Sequence, residues 1–319
     1  MCAASIREPL LFQRLQSSRR VLLAGAGGGF DVFATLPLAL ALRSMGKEIS
    51  FANLSFTYLG GTTAKQVVPH LFHVTPECEG EERYFPERVF ARWLRSRGVT
   101  AEVYAFEKTG VQPLTDAYRA LCTGFQADAL VLVDGGTDIL MTGDEAGLGT
   151  PEEDMVSLAA ASASGVPTQI VACIGFGIDA YHGVCHAHFL ENVAALERDG
   201  AYLGSFSVPR TSEEGAAYLD AVKMAQEATP ERPSIVNGSI AAALRGEFGD
   251  AQFTGRTQDS KLFINPLMGL YFAFDLPGVV KRSLYLEQLR NTSNIFQVSA
   301  LIKLFRNRTE ARPRTAIPH

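Results

Sequence analysis

Four times along the chain a short, mainly apolar run breaks off into a loop rich in glycine, hydroxyl or carboxylate groups. The runs end at Leu23, Leu54, Val133 and Ile174, with helix-like stretches between them. Continuous rather than alternating apolar runs mark strands buried on both faces, as in a parallel sheet. The fold class expected is therefore α/β: a mostly parallel, Rossmann-like sheet with helices on both faces and a helical C-terminal portion.

The chain's 319 residues, 47% of them hydrophobic, suffice for a large core and exclude disorder over most of the length. A formal net charge of −5 argues against a general nucleic-acid partner. The longest apolar run, residues 32–42, is interrupted by Pro37 and falls short of a membrane span, so no membrane partner is expected. Five scattered cysteines (Cys2, Cys78, Cys122, Cys173 and Cys185) show no CxxC spacing. With no charged-then-apolar leader at the N-terminus, that suits a reducing, cytoplasmic location. Self-association is left open.

The spacing predicts one α/β domain over residues 1–305, with a helical cap from about 211, then a solvated basic tail over 306–319. Helices are expected from Asp31 to about Met45, Pro86 to Arg97, Leu114 to Leu121, Glu152 to Gly165, Glu213 to Gln226, Ile235 to Leu244 and Leu276 to Leu304. Lys281, Arg282, Tyr285 and Arg290 then share a face of the last one. Residues 65–83, with two prolines and a run of acids, read as an irregular excursion or lid.

In an open parallel sheet, ligands collect beyond the carboxyl ends of the strands, which selects the four loops. The first contains Gly25, Gly27, Gly28, Gly29 and Asp31. Glycines between strand and helix let backbone N–H groups approach a phosphate. The run departs from the dinucleotide fingerprint, because Phe30 stands where the third glycine is required. The second loop offers Asn53 and Ser55 as hydrogen-bonding groups.

The third loop holds Asp134, Gly135, Gly136 and Asp138, followed by Asp144 and Glu145. Four carboxylates after a buried strand need something positive: Mg²⁺, a cationic substrate or a guanidinium from the chain. The nearest cationic residues in sequence, Arg119 and Arg198, are distant. Alternatively Asp134 or Asp138 binds sugar hydroxyls. The fourth loop carries Gly177 and Asp179, then His182, His186 and His188. His182 and His186 share a face if the segment is helical, which suggests acid–base work or, less readily, zinc.

The string 23–32, with Asn53-Leu54-Ser55-Phe56, Asp134-Gly135-Gly136-Thr137-Asp138 and Gly175-Phe176-Gly177-Ile178-Asp179, resembles a family of uncharacterised microbial proteins, domain of unknown function 1152. The resemblance extends to Asn265-Pro266-Leu267-Met268 and implies no activity. Gly25-Ala26-Gly27 alone is similar to the first turn of sirtuin-type nucleotide-binding folds, whose zinc-binding cysteines have no counterpart here.

The residues suggest an enzyme acting on a nucleotide or other phosphorylated small molecule by group transfer or hydrolysis. Gly25, Gly27, Gly28, Gly29, Asp31, Asn53, Ser55, Gly135, Gly136, Gly177 and Asp179 would bind the ligand. Asp134, Asp138, His182 and His186 would do the chemistry, and Asp134 with Asp138 would hold any Mg²⁺. A non-catalytic metabolite sensor and an enzyme for a cationic amine or guanidine are the alternatives.

Overall fold

The computed structural model describes residues 7–252 and 262–317. A short helix, α1 (Leu10–Arg14), leads into β1 (Arg20–Gly25), which is buried from its second residue onward. Next come α2 (Asp31–Ala34) and α3 (Leu36–Ser44), and then β2 (Glu48–Ser55). The expected single helix is thus two, joined at Thr35, because Pro37 has no N–H to continue the first.

Residues 65–74 are not the irregular excursion expected. They form a hairpin, β3 (Lys65–Val68) and β4 (Leu71–Val74), turning at His70 with φ of 64°. Its polar outer strand hides the pattern. Further on lie α4 (Pro86–Ser96), β5 (Val103–Glu107), α5 (Val111–Phe125), β6 (Ala129–Asp134), α6 (Pro151–Ser162) and β7 (Thr168–Cys173). The chain continues through α7 (His186–Arg198), β8 (Tyr202–Ser207), α8 (Glu213–Ala228) and α9 (Ile235–Leu244).

The C-terminal part is not wholly helical. After the short ribbon of β9 (Gly249–Asp250) and β10 (Phe263–Ile264), the apolar segment becomes β11 (Leu270–Asp275). This strand inserts antiparallel between β7 and β8, pairing Phe272 with Cys173 and Tyr271 with Phe206. The expected long helix is three: α10 (Leu276–Arg282), α11 (Leu286–Leu289) and α12 (Ile295–Arg308). Lys281, Arg282, Tyr285 and Arg290 therefore share no helix, and Tyr285 is buried.

Among the described residues, a nine-stranded sheet runs β3-β4-β5-β2-β1-β6-β7-β11-β8, with β5, β2, β1, β6 and β7 parallel. Adjacent residues face opposite layers. Val21, Leu23, Val131 and Val133 pack into the core that includes Phe33, Phe90 and Tyr218. Leu22, Ala24, Leu130 and Leu132 pack into the one that includes Leu114, Leu158 and Leu286. The chain leaves β1 toward β2 and later returns to its other side as β6, so a switch point lies between their carboxyl ends. Such a crevice is where doubly wound sheets place ligands. No helix among the described residues is long and apolar enough to cross a membrane. Cys78, Cys122, Cys173 and Cys185 are free, and Cys2 lies outside the described residues.

Candidate functional site

A cavity of about 950 Å³ opens at that switch point. Gly27, Gly28 and Gly29, which follow β1, line it together with Asp31, and Asp134 and Asp138 reach it from β6 and its loop. Asp179 arrives from the turn after β7. Volumes of this order suit a drug-sized or nucleotide-sized ligand.

Asp154, in the first turn of α6, completes the acidic group. One carboxylate oxygen each from Asp134, Asp138 and Asp154 lie within 4.8 Å of one another. All three residues are buried, and both Asp154 oxygens lack a hydrogen-bond partner among the described residues. The local fold explains the placement. Thr150, before α6, is held by Asp138, and Ser157 Oγ donates to the Ala26 carbonyl at 2.7 Å. Asp154 is thus fixed between two anchors, one just before α6 and one within it.

The electrostatics are those of like charges buried close together. Burial pushes the Asp31 carboxyl up to about 7, opposed by the Gly27 N–H and reinforced by the charge of Asp138. Burial, then the neighbouring carboxylates, holds Asp134, Asp154 and Asp179 well above the ordinary range. No Lys or Arg among the described residues forms an ion pair with these five side chains. Such an assembly opposes folding unless protons or a cation join it.

The glycine turn departs from the phosphate cradle expected of it. The Gly27 N–H donates to Asp31 Oδ2 at 2.7 Å, and the Gly29 N–H donates to the Leu54 carbonyl at 3.1 Å. These donors already have an anion or an oxygen. The glycines are needed for space instead. A Cβ on Gly27 would lie 2.9 Å from both Asp154 Oδ1 and Asp31 Oδ2, and Gly28 has φ of 91°.

Several other proposed residues stand beneath or beside the cavity. Gly25 packs on Asn53 and Asp31. Asn53 is fully buried and donates to the Gly29 carbonyl and to Glu87 Oε1, both structural bonds under the turn. Ser55 Oγ accepts the Thr57 N–H. Gly135 lines the cavity, whereas Gly136 backs onto Asp179 and Asp138.

His182 and His186 do not share a helix. His182 ends the 3-10 turn Ile178–His182 at the cavity rim, while His186 opens α7, packing on Phe176 and against Gly177. Burial, then nearby Arg314, lowers the His186 pKa. His188 is buried. The zinc reading has no support in this arrangement: the grouped oxygens of the three aspartates form the only metal-compatible set of three among the described residues.

Asp144 and Glu145 belong elsewhere. Arg312 Nε reaches Asp144 Oδ1 at 3.0 Å, and Arg306 donates to the carbonyls of Gly143 and Glu145. Asn192 donates to Glu145 Oε1 at 2.8 Å. The basic tail is therefore not simply solvated through Arg312; it is the positive partner of this half of the acidic loop.

Asp154, Glu87, Phe56, Tyr181 and Arg232 escaped sequence reasoning. For Asp154 the hint was partial: Met155 to Ala161 offers no charged position, which marks a buried helix but not that an acid of its first turn is buried with it.

A model of the family described as protein of unknown function (DUF1152) matches residues 62–313. The match includes Asp134, Asp138, Asp154 and Asp179, and begins after the glycine turn. A search of curated proteins gives no match. By the share of its length that is matched, the chain belongs to the DUF1152 family.

Proposed function

We propose that this chain is an enzyme acting on a nucleotide or another phosphorylated small molecule, by group transfer or hydrolysis, in the cavity at the β1–β6 switch point. The observation that carries the proposal is the union of two kinds of surface in one cavity. Buried carboxylates with no cationic partner among the described residues line it, together with the aromatic rings of Phe56, Tyr84 and Tyr181 and the exposed cation Arg232. Rings suit a base, Arg232 and His182 suit phosphate oxygens, and carboxylates suit sugar hydroxyls or a cation that faces phosphate. A carboxyl group held near neutrality, as Asp31 is, can take a proton from an attacking hydroxyl or water and return it to a leaving group.

Incubation with a panel of nucleotides and sugar phosphates, followed by mass spectrometry, tests this. Conversion that Asp134→Asn abolishes supports the enzyme. Saturable binding with no conversion supports a metabolite sensor instead. The absence of any Lys or Arg paired with the five aspartates among the described residues also favours a cationic amine or guanidine ligand. Such a ligand binds in the presence of a chelator, whereas a phosphate bridged by a cation does not.

A further inference from the structure

We infer that Asp134, Asp138 and Asp154 form a binding site for one hard divalent cation of the Mg²⁺ or Mn²⁺ class. It deepens the reading of this cavity as a ligand site, yet stands on observations that do not involve phosphate. The first is geometry: one oxygen from each residue falls within 4.8 Å of the others, close enough to share an ion. The second is the state of Asp154. Its side chain is fully buried, and neither oxygen has a hydrogen-bond partner among the described residues. A buried charged group is ordinarily paired or coordinates a metal, because its desolvation is otherwise uncompensated.

The rest of the site agrees. Gly27 leaves open the space beside these acids: a Cβ there would lie 2.9 Å from Asp154 Oδ1 and from Asp31 Oδ2, and 3.6 Å from Asp134 Oδ1. An all-oxygen donor set selects Mg²⁺, Mn²⁺ or Ca²⁺ over zinc or copper. Three carboxylates beside a water-accessible cavity suit a cation that keeps several waters, as Mg²⁺ does, and those positions can be taken by substrate oxygens.

The test is a Mn²⁺ titration of the chelator-stripped full chain, followed by electron paramagnetic resonance, with no nucleotide present. One Mn²⁺ per chain is expected. Asp154→Asn, which keeps shape and removes charge, should weaken binding at least about tenfold. Asp134→Asn should do the same, and it serves if the first variant fails to fold. Asp144→Asn, which removes an acid outside the cluster, should bind as the unaltered protein does. No saturable binding up to about 10 mM, above the range of weak protein sites, overturns the proposal, as does undiminished binding in a folded Asp154→Asn or Asp134→Asn variant. A chain that binds Mn²⁺ here yet ignores every phosphorylated compound keeps the metal site and loses the phosphate reading. Nucleotide turnover without a Mn²⁺ site does the reverse.

Discussion

Asp138 Oδ2 accepts the Thr150 backbone N–H at 2.7 Å and the Thr150 hydroxyl at 3.0 Å, so an acid of the cavity also holds the start of α6. One residue thus has two separable jobs. Asp138→Asn keeps an acceptor for Thr150 and removes a charge, so its melting temperature in the ligand-free state should equal or exceed that of the unaltered protein. Asp138→Ala removes the acceptor and should cost about 0.5–2 kcal/mol, as for other helix-start contacts. Both should lose Mn²⁺ binding. Chemical denaturation of the two variants checks the split, and equal destabilisation by both would contradict it.

Glu87 supplies a test of buried charge away from the aspartates. It is fully buried, accepts from Asn53 Nδ2 at 2.7 Å, and burial raises its pKa from 4.5 to about 7. A raised carboxyl pKa means that, between about pH 4.5 and 7, the folded protein holds a proton the unfolded chain has released. That contribution to stability is full below the lower value and lost as pH rises through the upper one. Glu87→Gln should therefore raise the melting temperature at pH 8 and have progressively less effect toward pH 4.5. Melting curves across that window decide it, and a variant less stable at pH 8 would refute the assignment.

The same sign applies to Asp31, raised from 3.8 to about 7. In chelator, the unaltered protein should lose stability as pH rises from about 4 to 7. Millimolar Mg²⁺ should reduce that loss, because a cation takes over the role of the protons. A melting temperature indifferent to Mg²⁺ at pH 7.5 would count against a cation in the cluster.

The strap between the end of α12 and the acidic loop is the next target. Arg306 donates to the Gly143 carbonyl at 2.7 Å and to the Glu145 carbonyl at 2.9 Å. Arg306→Ala should cost about 1.5–3 kcal/mol, the usual range for a hydrogen bond to a charged group. Urea denaturation measures this, and an unchanged midpoint would show that the end of α12 is not holding the loop.

Much of this arrangement is legible in the residues. The runs ending at Leu23, Leu54, Val133 and Ile174 belong to four of the five parallel strands, β1, β2, β6 and β7. What escapes is non-local. β11 reads as an apolar segment, since its partner Cys173 lies about a hundred positions earlier and nothing local records the pairing. β8 buries only Leu203 and lacks the continuous apolar signature. Asp154 sits where any helix favours an acid, so the dipole accounts for it until burial is known. The pairing of Arg312 with Asp144 depends on the chain's return across the whole fold.

Gly27 connects the turn to the acids. Its added methyl group would meet Asp154 Oδ1 and Asp31 Oδ2 at 2.9 Å. Gly27→Ala should leave the far-ultraviolet circular dichroism unchanged and weaken Mn²⁺ binding by at least about tenfold, as other disturbances around a metal do. Full binding by this variant would place the ion elsewhere.

The most direct measurement is anomalous diffraction from crystals soaked in Mn²⁺. One strong peak is expected, bounded by Asp134, Asp138 and Asp154, about 2.0–2.2 Å from one oxygen of each, near the distances of Mg²⁺ sites. Ordered carboxylates with no peak between them at millimolar Mn²⁺, or a peak whose ligands exclude Asp154, would contradict it.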